Sequence, residues 1–427
     1  MRMNKKKEIV PKLRFPEYIG NKLKITKLGK ISSIVKEKAG ENKYTLMSVT
    51  SGIGLVPQKE KFGREIAGDS YKNYIVIKKY DFAYNKSATK QFPEGYISML
   101  GKYDIAAVPN SIFTCFRITD NESYSPFFNY LWHNNYHGHW LRKYIEVGAR
   151  AHGALSVDTK HLWSMPLALP DFNEQQKIAD CLSSIDDLID AESKKLKALE
   201  KYKKGLMQKL FPAEGKTLPE WRFPEFQGCR EWQKSTIAEV TSYVDYRGKT
   251  PVKSKDGVFL ITAKNIKMGY IDYNASKEYI PKDQYSAVMS RGIPQLGDVL
   301  ITTEAPCGNV AQIDKVDVAL AQRVIKYRGD KNKINNTFLK YVFLSPVFQS
   351  KLKKNSTGGI VGGIKGSVLH HMSIKYPDDI TEQQKIAGCL SEVDTMITEQ
   401  SNKVEQLKAH KKGLMQGLVP SLEEADV

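Results

Sequence analysis

The chain has 427 residues, 41% hydrophobic and 26% charged, a globular composition long enough for two or three domains of ordinary size. Lys and Arg number 65 against 47 Asp and Glu, a net charge of +18 with a pI near 9.3, which favours a polyanionic partner such as nucleic acid or an acidic membrane surface. No apolar run reaches the roughly 18 residues of a membrane-crossing helix, and the five cysteines, Cys115, Cys181, Cys229, Cys307 and Cys389, are odd in number, lack Cys-x-x-Cys spacing and suit a reducing cytoplasm with free thiols.

Taken in chain order, Met1–Lys7 is basic, but Glu8 to Pro11 supplies no apolar stretch, so no secretory leader is expected. Residues 14–170 mix short β-type runs at 74–77 and 112–116 with turn residues, and a helical stretch is expected near 126–146. Basic and aromatic residues interleave in Tyr84-Asn-Lys-Ser-Ala-Thr-Lys90. A long helix follows over 173–212, closed by Pro212. Residues 222–378 repeat the mixture, with β-type runs at 258–261 and 299–302 and a helix near 335–353. There the interleaved loop is Tyr243-Val-Asp-Tyr-Arg-Gly-Lys-Thr-Pro251. The Gly-rich stretch 356–366 could present backbone N–H groups to phosphate or serve as a tight connector. A second long helix covers 381–420 and stops at Pro420.

These elements form a duplicated half. Glu174-Gln-Gln-Lys-Ile-Ala179 recurs at 382–387, Lys203-Lys-Gly-Leu-Met-Gln208 at 411–416, and Arg14-Phe-Pro-Glu17 at 222–225, always 208 residues on. The two helical segments share 22 of 40 positions. In the first, Ile178, Leu182, Ile185, Ile189, Leu196, Leu199, Leu206 and Leu210 fall at alternating spacings of four and three, with Glu192 and Lys203 filling the gaps. In the second, Ile386, Leu390, Val393, Ile397, Val404, Leu407, Leu414 and Leu418 do the same, with Gln400 and Lys411 in the gaps. A sustained period of 3.5 calls for a narrow packed seam, and the economical partner for each helix is the other copy. The 33 residues from Ile178 to Leu210 would span roughly 50 Å. The helical segments carry 8 Lys against 7 acids and 5 against 5, so nearly all of the excess positive charge lies in the globular regions.

Recognisable catalytic chemistry is missing. There is no Gly-x4-Gly-Lys-Ser/Thr phosphate loop and no Asn/Asp-Pro-Pro-aromatic motif. His133 and His137 have zinc-helix spacing but no adjacent Glu or nearby Cys, and read as a structural or surface pair. Asp171 and Asp378 with Glu174 and Glu382 faintly suggest a nuclease cluster, yet acids at a helix start are explained by capping and the helix dipole.

The duplicated Glu-Gln-Gln-Lys-Ile-Ala helices ending Lys-Lys-Gly-Leu-Met-Gln resemble the specificity subunits of type I restriction–modification enzymes. The Arg-Phe-Pro-Glu lead-ins, Tyr246-Arg-Gly-Lys-Thr-Pro251, Gly297-Asp-Val-Leu300 and the Gly-rich stretch strengthen the resemblance, which covers nearly the whole chain. It implies an α+β fold: two pseudo-repeated globular target-recognition domains, 1–172 and 213–380, separated by two long helices, 173–212 and within 381–427, packed as an antiparallel coiled coil. It implies a non-catalytic subunit that reads a split, asymmetric site in double-stranded DNA, one half per domain. The exposed helix faces would dock two methyltransferase (M) subunits, with translocase/endonuclease (R) subunits in the full complex. S-adenosylmethionine and ATP/Mg would belong to those partners, with no cofactor or metal on this chain and no membrane. Candidate DNA contacts are Tyr84, Lys86 and Lys90 in the first half, and Arg247, Lys249, Thr250, Lys264, Asn265 and Arg323 in the second. The first half has no good copy of the Arg-Gly-Lys-Thr-Pro loop. Two other functions remain open from sequence: a coiled-coil scaffold without specific DNA readout, and a stand-alone nuclease or methyltransferase.

Overall fold

The computed structural model describes residues 11–50, 52–86, 92–144, 158–246, 251–356 and 362–420. The chain forms two compact units, one of residues 1–193 with 403–427, the other of 194–402.

The first unit is built on a four-stranded antiparallel sheet of β1 (Ser32–Ile34), β2 (Phe82–Asn85), β3 (Tyr96–Met99) and β4 (Phe113–Ile118), in the order β1-β4-β2-β3. Phe82 lies opposite Phe116 on the central pair, with ring centroids 5.2 Å apart. One sheet face packs on Phe127, Phe128, Leu131 and Trp132 of the Ser125–His133 helix, and the other on Met47, Val49 and Ile77 of two flanking ribbons. Because both faces are covered, β2 is buried without alternation, as a central strand requires. The expected helix near 126–146 is two helices, Ser125–His133 and Tyr136–Leu141, parted by Asn135 at a left-handed φ of 58°. From this unit runs the long helix α1 (Phe172–Leu210), whose residues up to 193 belong to it.

The second unit repeats the sheet as β5 (Thr241–Asp245), β6 (Val299–Thr302), β7 (Val310–Gln312) and β8 (Val324–Gly329), in the matching order β5-β8-β6-β7. Where the first unit has two-stranded ribbons, this one has a three-stranded sheet in which Val258–Ile261 pairs parallel with Val318–Leu320. The second long helix is α2 (Ile380–Leu418). Neither long helix stands as a segment of its own, as the expected domain limits had it. Each unit takes part of both.

Within the first unit, Lys411 reaches Asp186 and Lys403 reaches Glu192, each at 2.5 Å, so α2 descends as α1 ascends. Leu414 and Leu418 join Ile178 and Leu182 in one apolar cluster. Within the second, Lys203 meets Asp394 at 2.5 Å, while Leu206 and Leu210 cluster with Ile386, Leu390 and Val393. The helix segments in each unit are antiparallel. Every apolar seam position named above is buried or half-buried. Ile185, Ile189, Leu196, Leu199, Ile397, Leu407 and Leu414 are the half-buried ones, and the other seam positions are buried. The gap-filling Lys203 and Lys411 are the ion-pairing residues themselves. Gly417 lies against Leu13: an added Cβ would lie 2.4 Å from Leu13 Cδ1, so the Leu13 side chain would have to move.

The repeated motifs form one clasp in each unit. Arg14 forks the buried Glu174 through Nε and Nη2 at 2.7 and 2.6 Å, and Arg222 forks Glu382 at 2.8 and 2.7 Å. Gln175 accepts from the N–H of Tyr124 and donates to the carbonyl of Pro170; Gln383 accepts from Asn335 and donates to Pro377. Lys177 lies over Phe15 and pairs with Glu17, as Lys385 lies over Phe223 and pairs with Glu225. Glu174 and Glu382 thus have structural partners, which accounts for acids that faintly suggested a nuclease.

Candidate nucleic-acid interface

Strand register gathers loops at one end of each sheet. In the first unit Ile34 lies opposite Phe116, and Asn85 opposite both Phe113 and Tyr96, so β1 and β2 finish where β3 and β4 begin. In the second unit Asp245 and Ile301 both lie opposite Ile325, and Val310 opposite Ile301, which reproduces the arrangement. Lys86, half-buried, leaves β2 here, and its N–H donates to Ile112 O at 3.5 Å. The equivalent bond in the second unit runs from Thr303 N–H to Arg323 O at 2.9 Å.

Arg323 is exposed, holds a left-handed φ of 73°, and pairs through Nε with Glu304 at 3.4 Å. Ile364, in the Gly-rich stretch, donates its N–H to Thr303 O, which makes the described part of that stretch a connector at this node. Exposed Lys264 comes to the same end, because Ala321 N–H bonds Ile261 O just before it. Strand pairing thus sets Lys264 and Arg323, far apart in sequence, each three residues beyond the paired Ile261 and Leu320, and puts Lys86 at the matching place in the other unit.

Two expected contacts are corrected. Tyr84 is 2% exposed and donates its hydroxyl to Glu94 O at 2.8 Å, with burial raising its pKa, so it is a core residue with no face for a base. Asn265 is fully buried. Its amide oxygen accepts from Thr262 N–H and Oγ1, and its Nδ2 donates to Asp272 O and Ser276 O, leaving nothing for adenine. Lys90, Arg247, Lys249 and Thr250 lie outside the described residues. His133 and His137 fall on separate helices; burial lowers both pKa values to about 4, and His133 stacks on Tyr96. Among the described residues no His, Cys, Asp and Glu side chains form a metal-holding cluster.

Sequence reading missed a buried staple in each sheet. Asp81 is forked by Arg117 at 2.6 and 2.7 Å, and Asp298 by Arg328 at the same distances, with Lys326 a further 3.6 Å contact. The preceding residue is at left-handed φ in both, Tyr80 at 73° and Gly297 at 84°. Asp81 and Asp298 are 217 residues apart and Arg117 and Arg328 are 211 apart, so the fixed interval of 208 does not reveal them.

The family model for the type I restriction modification DNA specificity domain matches residues 25–201 and again 230–409. The type I restriction enzyme MjaVIII specificity subunit of Methanocaldococcus jannaschii is 27% identical over 286 residues, 64% of this chain and 65% of the relative. A putative type I restriction enzyme MjaX specificity subunit of the same organism is 26% identical over 281 residues, 63% of this chain and 62% of the relative. The matches therefore span just under two thirds of those relatives' length. Among solved structures, the S subunit of a type I restriction–modification system from M. genitalium has a TM-score of 0.60 at 13% identity, covering 96% of this chain and 99% of that one. A chain from a structure concerning complex assembly and conformational transition of the type I R-M system has a TM-score of 0.52 at 14% identity, covering 93% and 97%. At these identities the structural likeness speaks for the fold.

Proposed function

Because the chain belongs to the type I restriction modification DNA specificity family, we propose that it is the sequence-reading subunit of such a complex, each lobe recognising one part of a split, asymmetric site in double-stranded DNA. The supporting observation is that two lobes with the same sheet order present loop ends of different composition, Lys86 and Ile112 in one, Lys264, Glu304 and Arg323 in the other. Identical loop ends would suit a palindrome; unlike ones suit two different half-sites. Phosphates would be held by the basic charge of the lobes, which carry nearly all of the +18, and sequence would be read in the major groove.

The long helices are read as the spacer and as the docking surface for two methyltransferase subunits, with translocase/endonuclease subunits joining through the larger complex. Leu188 and Met396, equivalent positions in the two helices, are both exposed apolar residues, at 43% and 48%, as two copies of one docking face would require. Methyl transfer from S-adenosylmethionine and ATP/Mg-driven cleavage are assigned to those partners, and this chain to a cytoplasmic, non-catalytic role. No helix among the described residues is long and apolar enough to cross a membrane.

Methylome sequencing of cells with and without the gene tests this. One asymmetric, split motif should lose its methylation on deletion. Filter binding by the assembled complex should weaken steeply with salt, by about 0.9 log unit per log unit of salt for each phosphate contacted. An unchanged methylome together with salt-independent binding would mean a scaffold instead.

A further inference from the structure

At one place the two lobes agree in backbone and differ in side chain. Ile112 immediately precedes β4 and Arg323 immediately precedes β8, and each carbonyl accepts the matching N–H from the residue after the neighbouring strand. Both residues stand at the loop end of their sheet. Ile112 is 43% exposed, large and aliphatic, and the Arg323 side chain is 57% exposed. The left-handed φ of Arg323 is one that L side chains rarely adopt, and such conformations cluster at binding sites, where the surroundings hold them.

Building on the reading of this chain as a DNA specificity subunit, we propose that the residue ahead of this central strand is a specificity-determining position in both lobes. Arg323 gives its guanidinium fork to O6 and N7 of a guanine, and Ile112 packs on the C5 methyl of a thymine, each in the major groove. The ion pair explains why Arg323 reads a base edge and not a phosphate. Glu304 at its Nε offsets the charge that attracts a phosphate, and a carboxylate beside the backbone would repel it. The Nη donors remain for the bidentate guanine contact, which depends on geometry more than on net charge. Ile112 has no charge to offer a phosphate and no polar atom to offer a base edge. The major-groove feature that matches it is the thymine methyl.

The test uses the chain assembled with its methyltransferase subunits, acting on duplexes randomised across the target, with methylation as the readout. Arg323→Gln should replace a guanine by adenine at one position of one half-site, since glutamine pairs with adenine. Arg323→Lys keeps the charge but loses the fork, and should lose about 5- to 150-fold discrimination at that position. In the other half-site, uracil in place of thymine removes only the methyl group. It should lower wild-type methylation at one position and make no difference to Ile112→Ala. The proposal fails if both Arg323 variants keep the wild-type motif and show only weaker, less salt-dependent binding, the behaviour of a phosphate contact. It fails equally if uracil affects wild type and Ile112→Ala alike. A wild-type complex that methylates without any motif would instead overturn the DNA-specificity reading on which this proposal rests.

Discussion

In the first lobe Asp186 faces one lysine, Lys411, and the hydroxyl of Tyr130. In the second, Asp394 faces Lys203 and Tyr341, but also Lys340, a buried lysine 3.8 Å away whose pKa is lowered by burial. The residue 211 positions before Lys340 is Asn129, which carries no charge. Asp186 and Asp394 belong to the strictly repeated helices, whereas Asn129 and Lys340 belong to the lobes. The contrast shows how the molecule divides its constraints. Groups that tie a lobe to the helix pair are kept in both copies, because each must satisfy the equivalent helix carboxylate, Asp186 or Asp394, with a lysine and a tyrosine hydroxyl. Groups that only decorate the joint differ, as the loop ends differ, because no shared partner holds them alike.

The comparison breaks most visibly at the clasps. Arg222→Ala would strand Glu382, which is fully buried, and Arg14→Ala would strand Glu174. An unpaired buried carboxylate costs roughly 3–5 kcal/mol. Hydrogen exchange on the full chain should show each variant loosening its own lobe by a similar amount. Loosening in only one of the two variants would mean that the clasps are not equivalent.

Acid should separate the lobes next. His137 is fully buried in the first lobe and held neutral, its pKa lowered by burial to about 4, with His133 shifted the same way. The unfolded chain takes up these protons near pH 6.5, the folded one only near 4. Between those values the unfolded state binds more protons, so stability falls as pH falls, while above 6.5 the contribution is complete. For His137 the loss amounts to about 3 kcal/mol across the window. Exchange protection of Ser125–Leu141 should drop between pH 7 and 5 before that of the second lobe, and His137→Gln should flatten the dependence. A pH-independent first lobe would contradict the buried neutral histidines.

The smallest effect sharpens the comparison at the joint itself. Asp394→Ala leaves two lysines without their carboxylate, Lys203 and the buried Lys340, whereas Asp186→Ala leaves only the partly exposed Lys411. Denaturant midpoints should place Asp394→Ala below Asp186→Ala by about 1 kcal/mol. Equal midpoints would mean that Lys340 is indifferent to Asp394.

The order of elements and the helix seam were legible in the sequence because their signals are local or repeat at a constant interval. The seam period needs only a window of residues, and the strand runs at 258–261 and 299–302 coincide with Val258–Ile261 and β6. The clasp motifs could be found by self-comparison, although their role as ion-pair and amide partners could not. Within the lobes the interval drifts from 208 to 211 and 217, so the Asp81–Arg117 and Asp298–Arg328 staples had no repeat signal to reveal them. Tyr84 and Asn265 looked like contacts because their residue types suit nucleic acid. Their burial depends on a sheet covered on both faces and on a turn that consumes every amide hydrogen bond, neither of which is encoded within a few residues. The sequence by itself determined a duplicated chain, two long helices with a packed seam, and basic lobes. Tertiary structure alone decided which loops share an end, because strand pairing joins residues scores of positions apart and only its register sets Arg323 and Ile112 at equivalent places.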